Sequence, residues 1–177
     1  MSESNPYETG RMDAPNDDVI IARLANTLKV SQIISAALVM GILVFLTIVL
    51  VIIRGDVQGL QKAGLLTIIA TGFGALMIVN HMILPTIVVR TMIGKAIQEV
   101  STRDAQIDRL GDVFRTRLII TIALLEGAAM FSLVTLIVEK NVAAIGMAIL
   151  LTLLMIARFP TQTKLLWWVQ DKLSQAN

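Results

Sequence analysis

The sequence predicts an all-α polytopic membrane protein, a four-span helical bundle with interfacial amphipathic helices at both ends. Three observations lead there. Hydrophobic residue types make up 55% of the 177 residues and charged types only 16%, with a mean hydropathy of +0.76, more apolar than a soluble domain that must keep a wettable surface. The apolar residues are gathered into four runs almost free of charge. The Lys and Arg residues fall unevenly on the two sides of those runs.

Residues 1–16 are polar, and the chain does not open on a positive segment leading into a short apolar core and a small-residue cleavage site. The tail is therefore expected to be retained and disordered. From 17 to 29, Val19, Ile20, Leu24 and Leu28 fall toward one side behind Asn16 and Asp17, the pattern of an amphipathic interfacial helix leading into the membrane. The bundle occupies 30–157. Its first two spans, 30–53 and 63–89, run 24 and 27 residues without a charge, beyond the ~20 residues that a bilayer core requires. The third, 118–138, is 21 residues broken only by Glu126, and the fourth, 141–157, is 17 residues, at the short end of the spanning range. "EKN" at 139–141 leaves room only for a tight turn, so spans three and four should form an antiparallel hairpin.

The loop 90–117 carries Ile93, Ala96, Ile97 and Val100, then Ile107, Leu110, Val113 and Phe114, at helical spacing on either side of "STRD". It reads as two helical extensions meeting at a turn with a capping box, its alternating charges forming a solvated face. In 158–177, Pro160 opens an amphipathic helix that aligns Leu165, Leu166, Trp168, Val169 and Leu173, with Trp167 and Trp168 at aromatic-belt depth.

Twelve Lys and Arg residues lie on the side that would hold both termini and the 90–117 loop, and only Arg54, Lys62 and Lys140 lie on the other. This asymmetry places both termini in the cytoplasm. The expected location is a cell membrane, specifically the bacterial inner membrane.

Composition also narrows the chemistry. There is no cysteine and a single histidine, His81, so no thiolate metal site, disulfide framework or cysteine nucleophile exists, and no metal or cofactor is expected. A net charge of +2 with distributed basic residues does not suit a nucleic-acid partner. The expected partners are the lipid bilayer and further copies of the chain or a membrane complex. Small-residue pairs, Ala37 with Gly41 and Ala144 with Ala148, could mediate that assembly.

The polar groups inside the spans are the candidate site. Glu126 lies nine residues after Arg117, and His81 nine residues before Arg90. At ~1.5 Å per residue each sits ~13 Å in from the same boundary, on neighbouring antiparallel helices. Ala70 and Gly74 share a side with His81, and Ala123 and Ala129 with Glu126, so small residues would let the two helices approach. Pro85 removes an amide donor and crowds the carbonyl of His81, predicting a kink or local opening beside Asn80 and His81. A charge near the bilayer centre costs about 2.5–3.5 kcal/mol on insertion scales. Glu126 is therefore expected to be protonated, or paired with a protonated His81, or to share a proton with it. Alternatively, the pair only fixes helix packing.

From "GKAIQEV" at Gly94 through "RTRLIITIALLEGAAMFSLVTLIV", ending at Val138, the chain resembles the c-subunit (proteolipid) of rotary ATP synthases. The resemblance implies a cytoplasmic polar loop followed by a helix whose mid-membrane carboxylate, Glu126, carries an ion. It covers about a quarter of the chain, and it departs from the family's pattern in having only Gly72 and Gly74 in the second span, "STRDAQ" in the loop and two further spans. The expected function is that of an oligomeric proton- or cation-linked membrane protein using Glu126 and His81, with Asn80 beside them. The alternative is a non-catalytic scaffold or assembly subunit; an enzyme is not expected, because no nucleophile, metal cluster or phosphate loop accompanies the histidine.

Overall fold

The computed structural model describes residues 17–53, 63–98 and 102–175, and these are almost entirely helical. The polar tail 1–16 lies outside them. There are five helices among the described residues: α1 (Asp17–Ile53), α2 (Leu65–Gln98), α3 (Arg103–Glu139), α4 (Val142–Ala157) and α5 (Gln162–Ser174). Three of them, α1, α2 and α3, are long and apolar enough to cross a membrane.

The first departure from expectation is at the start. Residues 17–29 are not a separate interfacial helix but the first turns of α1, which runs on as one 37-residue helix. Their apolar side, Ile20, Leu24 and Leu28, is buried against Ile107, Leu110 and Phe114 of α3 and Leu165, Val169 and Leu173 of α5. A protein surface takes the place that the membrane interface had in the sequence-based reading. The second departure concerns the fourth crossing. α4 occupies the expected 141–157 segment, but its 16 residues are only ~24 Å long; counted with α5, bent from it by 67° at Arg158–Thr161, it makes a fourth candidate span. A third lies in the 90–117 loop. The helical extensions do continue α2 to Gln98 and start α3 at Arg103, but the N-cap is Thr102, whose side chain makes no capping bond; Ser101 lies outside the described residues.

The α3–α4 hairpin turns as the short "EKN" requires. Lys140 takes the left-handed conformation at φ 49°, where a Cβ is crowded, and Asn141 caps α4 by accepting a hydrogen bond from the Ala143 amide at 2.9 Å. Glu139 closes the same end of the molecule, its two carboxylate oxygens accepting from the Leu66 and Thr67 amides of α2 at 2.8 Å each. Those amides have no helical partner of their own.

α3 is the hub, packing against α1, α2 and α4, whereas α1 and α2 lie on different sides of it. The sequence arranges this by repeat. Leu28, Ser35, Ile42 and Val49 of α1, and Leu118, Leu125 and Ser132 of α3, are buried at seven-residue intervals, the spacing that keeps one stripe of a helix in contact along its length. α1 and α3 run parallel, with Arg23 held to Asp104 at 2.8 Å and Asp108 at 3.3 Å, and Leu24 against Gly111. The span hydroxyls of Ser35, Thr121, Ser132, Thr135 and Thr152 all donate to carbonyls one turn back on their own helices, so none of these five is left open. At the charged end α5 folds under the bundle. Lys164 donates to the carbonyls of Ala157 and Phe159 at 3.1 and 3.0 Å, satisfying groups that the end of α4 leaves free.

Candidate functional site

His81 and Glu126 are close in depth but do not meet. The ring contact of Phe73 with Phe131 sets the register of α2 against α3; eight residues on, His81 is level with Ala123, eight residues before Phe131. Glu126 is three residues further along α3, an offset of ~4.5 Å. Direction separates them. Thr121, which lines a cavity with His81, is five residues from Glu126, about 140° around the helix. Gly111, which faces α1, lies about 60° from Glu126 by the same geometry. Glu126 is thus on the α1 side of α3, and His81 faces the side where α2 and α4 converge.

Each group has its own surroundings. His81 is 6% exposed. Its Nδ1 donates to the Ile78 carbonyl, which can only accept, so Nε2 presents its lone pair to Nη2 of Arg158 at 3.5 Å. In this arrangement the imidazole positions a guanidinium and is not turned toward a carboxylate. Pro85 is buried inside α2, which is helical on both sides of it from Leu65 to Gln98. Asn80 is half-buried and does not line the His81 cavity.

Glu126 is half-buried at the border of α3's outer face. Among the described residues it makes no hydrogen bond or ion pair. Ala123 and Gly127 beside it are exposed, as are Ala36, Ala37 and Gly41 of the neighbouring α1, and a side chain added at Gly41 or Gly127 would meet open space. Ala144 and Ala148 behave differently. Each is 1% exposed, inside the core cluster with α3, so they cannot serve contacts between copies. Ala70 and Gly74 also face inward, with Gly74 against the Met147 side chain of α4.

The residues that the sequence reading did not single out as a site lie around His81. Arg117 at the start of the third span, Arg158 at the end of α4 and Lys164 on α5 border one cavity of about 660 Å³ with His81, Thr121 and Trp168. Arg117 is half-buried and feels the like charge of Arg158. The signal was present as basic residues at the ends of different spans, but they had been counted only for orientation. No group of three or more His, Cys, Asp or Glu residues able to hold a metal ion occurs among the described residues. No family model, no curated protein and no solved structure matches the chain.

Proposed function

We propose that the protein is an oligomeric, proton- or cation-linked membrane protein in which Glu126 is the working carboxylate, at a seam between copies of the chain. α1, α2, α3 and α4 make four crossings in this reading, with α5 turned under the bundle and both termini in the cytoplasm. One observation carries it. Glu126 is unpartnered among the described residues, at the depth of the spans, with the small Ala123 and Gly127 exposed beside it on α3, and Ala36, Ala37 and Gly41 exposed on α1 among the larger Ile33, Met40 and Val44. An acid in hydrocarbon is tolerated when it binds a proton or when another polar surface covers it, and small residues let a second helix come close enough to do so. The likeness to the rotor proteolipid pattern points the same way. Asn80, His81 and Pro85 are not part of this site, since His81 turns to Arg158.

The test is proton flux into liposomes carrying the full-length protein. Wild type should dissipate an imposed pH gradient, and Glu126→Gln should reduce the rate at least about tenfold, the loss expected when a relay group can no longer exchange its proton, with assembly unchanged. The scaffold reading is favoured by the same small-residue border, and it expects no flux from wild type and altered assembly in Glu126→Gln.

A further inference from the structure

The geometry points to a phosphate-binding site for an anionic phospholipid headgroup in the basic cleft at the charged end of the bundle. Its floor and walls come from α2, α3, the end of α4 and α5. The cleft holds about 660 Å³, in the size range of pockets that enclose a small ligand. It adjoins a second hollow of about 580 Å³ that shares Arg117 and Trp168 and adds Arg90 and Lys172.

Charge identifies the ligand class. Arg117, Arg158, Lys164 and His81 line the first cavity with no carboxylate among its lining residues. The second holds one acid, Asp171, already paired with Lys172 at 2.8 Å and accepting from Gln175 at 3.0 Å. Arg117 and Arg158 line the same cavity, and neither has an ion pair among the described residues. The His81 imidazole and its Ile78 anchor hold Arg158 in that position. Two guanidiniums kept together without an acid form a fork for a phosphate group, the anion whose oxygens take paired N–H donors.

The other walls favour a lipid over a free anion. Met82, Leu118 and Leu154 form an apolar side below the charges, and Met82 is 63% exposed, so the cleft borders the surface that acyl chains occupy. Trp168, tilted against Phe114 at 5.6 Å between ring centroids, supplies the amphipathic ring typical of headgroup depth. Basic pockets between spanning helices bind anionic headgroups by this combination.

The test uses full-length Trp167→Phe, which leaves Trp168 as the single tryptophan, in vesicles of phosphatidylcholine containing either brominated phosphatidylglycerol or brominated phosphatidylcholine. Brominated phosphatidylglycerol should quench Trp168 more strongly. Adding Arg117→Gln with Arg158→Gln should cut that preference by about tenfold or more, from the loss of two charged donors. Arg109→Gln, an exposed α3 position outside both hollows, should not change it. Arg117→Lys with Arg158→Lys keeps charge and fold while removing the paired donors, and should lose preference several-fold. Equal quenching by the two lipids, or a preference that survives both double variants, overturns the site. Inorganic phosphate at millimolar concentration should leave the preference intact; its abolition would assign the cleft to the free anion and overturn the lipid.

Discussion

The two sides of α3 at nearly the same depth are opposites. Toward α1 and the outside stands a lone acid with Ala123 and Gly127 exposed beside it; toward α2 and α4 lies a walled cleft with several basic groups and no acid among its lining residues. The difference shows that depth does not pair polar groups inside a helical bundle. Five residues of α3 separate Thr121 from Glu126 and turn them to different neighbours. What each side can do then follows from its surroundings. In the proposed reading the outer side is a proton site that a second chain completes, and the inner side is an anion site complete within one chain.

The contrast can be broken at its small residues. Gly74→Leu should destabilise the bundle by about 1–3 kcal/mol, the usual cost of overpacking, because an added Cβ already lies 2.7 Å from the Met147 sulfur. Gly127→Leu should leave thermal unfolding unchanged, since that direction is open, and should instead weaken association in a crosslinking assay. Equal destabilisation by the two substitutions would contradict the inside–outside division. A smaller effect belongs to the turn. Lys140→Gly should raise stability by up to about 1 kcal/mol, the ~1–2 kcal/mol cost of the left-handed backbone at φ 49° less the ~0.4–1 kcal/mol of chain entropy that a glycine adds to the unfolded state, measured as a higher midpoint in a detergent melt. The smallest effect sharpens the comparison most. His81→Asn should leave any Glu126-dependent flux unchanged, and a parallel loss of flux would rejoin the two groups that the geometry separates.

Much of this architecture was legible in the sequence. The runs almost free of charge located the four apolar segments, the three residues of "EKN" forced the α3–α4 hairpin, and five of the basic residues assigned to one side, Arg90, Arg117, Arg158, Lys164 and Lys172, line two adjoining hollows. The site was not legible in the same way. A helical wheel gives angles within one helix, but which angle meets which neighbour depends on α1 and α2 taking different sides of α3, and that is a property of the packed bundle. In the sequence, His81 and Glu126 match in depth and in the small residues that share a side with each, and neither match says which neighbour that side meets. Residues 17–29 show the same ambiguity: an apolar stripe reads alike whether lipid or another helix covers it, and here α3 and α5 cover it. Arg117 lies some forty residues before Arg158 and Lys164, and His81 further still, so only the fold brings them together.

The central claim is that the Glu126 border is a seam between copies. Because the chain has no cysteine, Gly127→Cys introduces a single thiol there, with open space in front of it. Mild oxidation of the full-length variant in membranes should give a covalent dimer through Cys at that position, while Ala148→Cys, buried in the core, should give none. Absence of a crosslink at 127, or equal crosslinking at both positions, would contradict the account.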